Sequence, residues 1–162
     1  MGKEESFTRI IRENEGVIFK ITTIYTQSEQ DQKDLYQEIV YQLWKSFDSF
    51  RNESKISTWM YRVALNTAIS QLNKSKKHSS TTGLDRVILK QTDNYDAEFE
   101  NRLKIVYEHI HQLDILEKGL ILLLLDGKKY GEISEITGLS VTNVGTRISR
   151  IKQKLKSRIL KK

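Results

Sequence analysis

Apolar residues recur at helical spacing through most of the chain. Between Glu4 and Thr26, Phe7, Ile10, Ile11, Val17, Ile18, Ile21 and Ile24 predict one helix with a broad apolar face, and Gly16 is its weak point. The polar run from Ser28 to Lys33 reads as a turn. Leu35, Ile39, Leu43 and Phe47 then repeat every four residues and predict a second helix over Asp34–Phe47, with Tyr36, Val40 and Trp44 widening its face. A polar loop follows over Asp48–Ser57. Met60, Val63, Ala64, Thr67 and Ala68, broadened by Leu65, Ile69 and Leu72, predict a third helix over Thr58–Lys74.

The periodicity stops at His78–Ala97, where Ser79-Ser80-Thr81-Thr82-Gly83 and Gln91-Thr92-Asp93-Asn94 supply little that can pack. It resumes in a helix over Glu98–Gln112, with Phe99, Leu103, Val106, Tyr107 and Ile110 inward, and another over Glu117–Leu125, stopped by Asp126-Gly127. Leu113, Leu116, Leu120, Leu123 and Leu124 can share a core with Ile133, Ile136, Leu139 and Val144. At about 1.5–3 kcal/mol per buried large apolar side chain, such a core suffices for a small domain. The expected architecture is therefore all-α, with helical domains at residues 1–77 and 98–162 joined by a flexible linker at 78–97.

The last 35 residues, Lys128–Lys162, carry the clearest motif. A short helix turns Ile133 and Ile136 inward, Gly138 permits a tight turn, and Ser140 is a good N-cap for a long helix after it. This is helix-turn-helix spacing, whose second helix enters the major groove of DNA. On that helix Val144, Ile148, Ile151, Leu155 and Ile159 make one apolar stripe. Thr142, Thr146, Ser149 and Gln153 fall opposite, with hydrogen-bonding groups suited to base edges. Asn143, Arg147, Arg150, Lys154 and Arg158 fall on a flank, suited to phosphates.

Charge sharpens the picture. The 162-residue chain has a net charge of +6, unevenly distributed. Residues 1–50 hold six Lys/Arg and nine Asp/Glu, whereas residues 151–162 hold six Lys/Arg and no acid. No Asp or Glu occurs from Gly145 onward. A protein partner for the front and a polyanion for the rear follow from this split. The absence of cysteine excludes disulfides, thiolate nucleophiles and cysteine-ligated zinc, and fits a reducing cytoplasm. The acidic start, Met1-Gly2-Lys3-Glu4-Glu5, is unlike a secretory signal, and the run Leu120–Leu125 is far short of the ~20 residues that span a bilayer, so no membrane insertion is expected. His109 and His111 diverge on a helix, and no phosphate loop, metalloprotease motif or nucleophile triad is visible. Neither an enzyme nor a cofactor or metal is expected.

Three blocks of the front half carry a resemblance. Asp34-Leu35-Tyr36-Gln37-Glu38-Ile39-Val40-Tyr41-Gln42-Leu43-Trp44, then Phe50-Arg51-Asn52-Glu53-Ser54, then Ser57-Thr58-Trp59-Met60-Tyr61-Arg62-Val63-Ala64-Leu65-Asn66-Thr67-Ala68 resemble region 2 of a bacterial sigma-70-family factor. The short, extracytoplasmic-function type, which joins region 2 to a region 4 helix-turn-helix, is the most similar. The resemblance implies a sigma factor that binds core RNA polymerase, recognises promoter DNA and helps melt it. It places Asp34, Gln37, Glu38 and Tyr41 on the polymerase. It places the −10 element against Arg51, Asn52, Ser54, Lys55, Trp59, Tyr61, Arg62, Asn66, Ser70 and Lys74. Aromatic faces at Trp59 and Tyr61 suit a base leaving the stack, although an aromatic at the start of a buried helix also suits the core. The −35 element falls to Ser140, Thr142, Asn143, Thr146, Arg147, Ser149, Arg150 and Lys154. An anti-sigma factor is a further implied partner. Gly145 departs from the Lys or Arg common in the family at that position, and weakens its helix by ~1 kcal/mol relative to Ala. Asp114 departs from a common proline, with slight consequence expected. The alternative is a conventional helix-turn-helix regulator that acts without the polymerase core; an interaction protein that keeps the fold but only binds a partner is a third reading.

Overall fold

The structure is a computed structural model that describes residues 2–50, 55–75 and 97–160. Among them every regular element is helical, and the chain divides into two compact units, Met1–Arg86 and Val87–Lys162. Apart from Ala97, the expected linker at 78–97 lies outside the described residues.

Unit one contains α1 (Lys3–Glu13), α2 (Glu15–Tyr25), α3 (Glu29–Ser46), a 3-10 turn (Phe47–Ser49) and α4 (Ile56–Ser75). The single helix expected over Glu4–Thr26 is two helices, and the break falls at Asn14 rather than at Gly16. The Asn14 side-chain amide donates to the Ile10 carbonyl at 2.9 Å, and the Asn14 backbone leaves the helical region at φ −124°. A short amide side chain competes with the next helical turn for a carbonyl. Glycine only removes a preference, and Gly16 continues inside α2.

The turn expected at Ser28–Lys33 is instead the first turn and a half of α3. Ser28 caps it, its Oγ accepting from the Asp31 amide at 3.1 Å. Gln32 is buried there, and its Nε2 donates to Thr22 Oγ1 at 3.2 Å and Thr23 Oγ1 at 2.9 Å. Both threonine hydroxyls also donate to the Phe19 carbonyl, at 2.9 Å. This satisfied polar network fixes the register of α3 on α2, where an unpaired amide would cost stability. Helix α2, α3 and α4 pack on one another in pairs around Ile18, Ile21, Ile24, Ile39, Leu43, Met60 and Ala64, all fully buried.

Unit two contains α5 (Ala97–His111), α6 (Ile115–Leu125), α7 (Tyr130–Thr137) and α8 (Val141–Leu160). Helix α6 starts two residues earlier than expected because Asp114 caps it. Asp114 Oδ1 accepts from the Glu117 amide at 2.9 Å, and Glu117 Oε1 accepts from the Asp114 amide at 3.1 Å. The residue that departs from the family's proline thus forms a complete capping box. Gly127 at φ +84° closes α6, and Gly138 at φ +85° closes α7, both in the left-handed region that disfavours a Cβ. The core joins Ile110, Leu113, Leu120 and Leu123 to Ile133, Ile136, Val144 and Ile148, whereas Leu116, Leu124 and Leu139 of the expected set are only half-buried.

Candidate nucleic-acid interface

Helix α8 is aimed by the turn before it. The Gly138 amide donates to the Ser134 carbonyl at 2.8 Å, and the Ser134 hydroxyl donates to the Leu139 carbonyl at 2.6 Å. Ser140 then accepts from the Asn143 amide at 3.1 Å and caps α8. Val144, Ile148 and Ile151 are buried, while Leu155 and Ile159 are half-buried, so the apolar stripe holds the helix along one side.

The opposite side is open. Thr142, Thr146, Ser149, Arg150 and Gln153 are exposed, and Asn143 and Arg147 are half-exposed on the flank. Arg147 Nε donates to Asn143 Oδ1 at 2.9 Å, one turn apart, which holds the guanidinium along the helix. Lys154, expected at a phosphate, has a partner within the chain. Its Nζ stands 2.7 Å from Glu117 Oε2, tying α8 to the first turn of α6. The Glu117 side chain is 17% exposed, so this pair is partly shielded from solvent. One turn of α6 is therefore capped and salt-bridged by the same carboxylate. Beside it, burial pushes the Lys118 ammonium below the usual lysine range.

Sequence reasoning missed Tyr130, the first residue of α7. A Cβ placed on Gly145 would stand 3.3 Å from Tyr130 Cε2 and 3.6 Å from Cδ2. The ring is 37% exposed, so the bare backbone of α8 forms a seat for an aromatic that remains on the surface. Only the missing side chain at 145 could have signalled this.

In unit one, Arg62, Asn66, Ser70 and Lys74 follow one another every four residues along α4. Asn66, Ser70 and Lys74 are exposed, Arg62 is half-buried, and Lys55 is exposed just ahead of the helix. Trp59 and Tyr61 depart from the stacking role. They are 6% and 0% exposed, and their neighbours Thr58 and Met60 are buried as well. Four consecutive buried residues, Thr58–Tyr61, mean that this turn of α4 is enclosed on all sides, so the aromatics serve the core. Trp59 is stacked under Phe50, with ring centroids 4.8 Å apart and planes 22° apart, and it also meets Phe47 at 6.0 Å. Its ring thereby anchors the residue from which the loop departs. Arg51, Asn52 and Ser54 lie outside the described residues.

The outer side of α3 offers a third surface. Asp34, Gln37 and Tyr41 are exposed, and Glu38 is half-buried with Oε2 accepting from Gln42 Nε2 at 2.8 Å. Beside them runs an apolar groove lined by Phe7, Tyr36, Val40, Tyr41 and Trp44. Phe7 meets Trp44 edge-on at 5.0 Å, and Lys3 sits 4.1 Å above the Trp44 ring while pairing with Asp48 at 3.1 Å. Burial, and then the charge of Glu15, push the Tyr36 phenol up, so it stays protonated across the physiological range. Among the described residues there is no group of three or more side chains able to hold a metal ion, and no helix long and apolar enough to cross a membrane.

Comparisons with known proteins match both units. The family model for sigma-70 region 2 matches residues 10–78, and that for sigma-70 region 4 matches residues 103–155. Curated relatives include the ECF RNA polymerase sigma-E factor of Haemophilus influenzae, 28% identical, covering 98% of this chain and 89% of its own length. That of Escherichia coli strain K12 is 26% identical, at 98% and 88% coverage. Among solved structures, CnrH in complex with the cytosolic domain of CnrY shares the fold at a TM-score of 0.69, with 21% identity, 98% of this chain and 90% of that chain. The sigma factor RpoE in complex with the anti-sigma factor NepR from Bartonella quintana does so at 0.72, with 17% identity, 95% of this chain and 94% of that chain. The surfaces on α3, α4 and α8 therefore belong to region 2 and region 4, and the chain is a member of the sigma-70 family, of the extracytoplasmic-function type.

Proposed function

We propose that this sigma factor joins core RNA polymerase through α3, engages the −10 element along α4 and its preceding loop, and reads the −35 element with α8. The observation that carries the reading is the open face of α8. Its exposed side chains are hydrogen-bonding or cationic, its apolar side is sealed in a core, and no carboxylate follows Gly145 to offset its charge. Within that face Thr142, Thr146, Ser149 and Arg150 face bases, while Asn143 and Arg147 hold phosphates. Ser140 keeps its cap, and Lys154 serves the α6–α8 contact.

Along α4 the DNA-facing set is Lys55, Arg62, Asn66, Ser70 and Lys74, with Arg51, Asn52 and Ser54 from the loop. Trp59 supports that loop from beneath through Phe50. On α3, Asp34, Gln37, Glu38 and Tyr41 meet the polymerase beside the apolar groove. The domains run 1–77 and 98–162, with 78–97 as their linker. The work is specification in the cytoplasm rather than catalysis. A protein of the kind that NepR is for RpoE holds the factor inactive until it is needed. A conventional helix-turn-helix regulator would have no use for the region 2 match across residues 10–78.

Transcription reconstituted from core polymerase, the purified chain and a library of genomic fragments tests this. Discrete start sites that require the chain are expected. Equal transcription with and without it, or tight binding of the isolated chain to one duplex without polymerase, would refute the reading.

A further inference from the structure

Gly145 lies within the face that reads DNA, one turn from Thr142 and Ser149 and next to Thr146. A glycine inside a helix weakens it, and Gly145 has ordinary helical surroundings and no positive φ that would require it. The neighbour that a Cβ there would crowd is the Tyr130 ring, at 3.3 Å. A Cβ on that bond needs the ring to give by a few tenths of an ångström, and a longer side chain competes with it for the same space. Tyr130 begins α7, the helix that supports α8 from behind, yet more than a third of it remains exposed. The ring therefore bridges the start of α7 to the reading face, at a place where the backbone alone makes room for it.

We propose that Tyr130 and Gly145 act as one positioning pair, in which the ring seated on the glycine sets how α8 sits against promoter DNA and so which −35 sequence is preferred. The pair deepens the proposed role of α8 and rests on it. Tyr130 supplies a rigid, amphipathic body at the edge of the helix, and Gly145 keeps a flexible cation out of that space. Substitutions at 145 then change preference by moving Tyr130 and not only by adding a contact of their own.

The test uses holoenzyme assembled from core RNA polymerase and the full chain, on promoters with a randomised −35 element. Tyr130→Ala and Gly145→Lys are each expected to shift the preferred −35 sequence and to lower use of the wild-type favourite on the order of tenfold. Combined, they should lose no more than either alone, because both act through one ring. Tyr130→Phe should keep the wild-type profile. An unchanged profile in Gly145→Lys, or single effects that multiply in the double variant, overturns the proposal. A loss that is equal on every promoter also overturns it. If Tyr130→Ala unfolds unit two, as circular dichroism would show, Gly145→Leu decides, since leucine favours the helix more than glycine does and fills the ring's seat without adding a charge; an unchanged profile there overturns the proposal. Arg150→Ala, measured in parallel, separates two failures. A shifted profile there with none in the pair refutes the pair only, whereas unchanged profiles in all variants refute the assignment of α8.

Discussion

The two units expose their working surfaces in opposite ways. In unit two a single amphipathic helix is sealed along one side and open along the other, and the open side holds the hydrogen-bonding and cationic side chains proposed to meet DNA. In unit one Thr58–Tyr61 of α4 are buried, and the aromatic residues that suit base stacking are beneath the surface, with Trp59 stacked on Phe50. A surface made by one helix is written in its periodicity. The role of an aromatic at the start of a helix needs the packing to be known, because the same tryptophan suits either a surface or a core.

That contrast can be broken most forcefully at Trp59. Trp59→Ala removes a nearly buried indole that meets Phe50 and Phe47, and should destabilise unit one by about 3–5 kcal/mol in urea denaturation. Trp59→Phe should keep both folding and promoter melting. If Trp59→Ala left stability intact but abolished melting, the ring would be a DNA contact after all.

Ile148→Ala is the matching test in unit two, where the side chain is fully buried, and about 2–5 kcal/mol is expected. Both tryptophans, Trp44 and Trp59, lie in unit one, so their fluorescence reports that unit. The far-UV circular dichroism transition should move in Ile148→Ala while the fluorescence midpoint stays put. A common shift would show that the units unfold together.

The open face of α8 predicts smaller, sequence-dependent effects. Arg150→Ala should reduce discrimination for the favoured promoter by about 1–3 kcal/mol in competitive transcription. Equal loss on all promoters would move Arg150 to a phosphate. The least effect is expected from Asp114→Ala, which removes the cap of α6 and should lower the thermal stability of unit two by about 1 kcal/mol. No measurable change would mean that the box adds nothing to the helix start.

Much of the fold was legible because apolar residues at three- and four-residue spacing leave little choice. Leu35, Ile39 and Leu43 marked α3, and Val144, Ile148 and Ile151 marked the inner side of α8. What escaped the sequence was decided by polar side chains acting inward or locally. Asn14 ends α1 through its own amide, and Gln32 hides among six polar residues but bonds to two threonines. Neither event has a periodic signature. At the candidate surfaces, Thr142, Thr146, Ser149 and Arg150 are exposed as their spacing implied, whereas Lys154 is claimed by Glu117, 37 residues earlier. Long-range pairs of that kind follow only from tertiary packing. Trp59 and Tyr61 resemble exposed platforms by residue type, and their burial emerges only once α2 and α3 close over α4.

The division of labour between the units is tested most directly by titrating labelled chain with core RNA polymerase and following anisotropy, for wild type, Gln37→Ala/Glu38→Ala and Arg150→Ala. The double variant on α3 should bind core on the order of tenfold more weakly, while Arg150→Ala binds as wild type does. Weakened core binding by Arg150→Ala alongside wild-type affinity in the α3 variant would contradict the account.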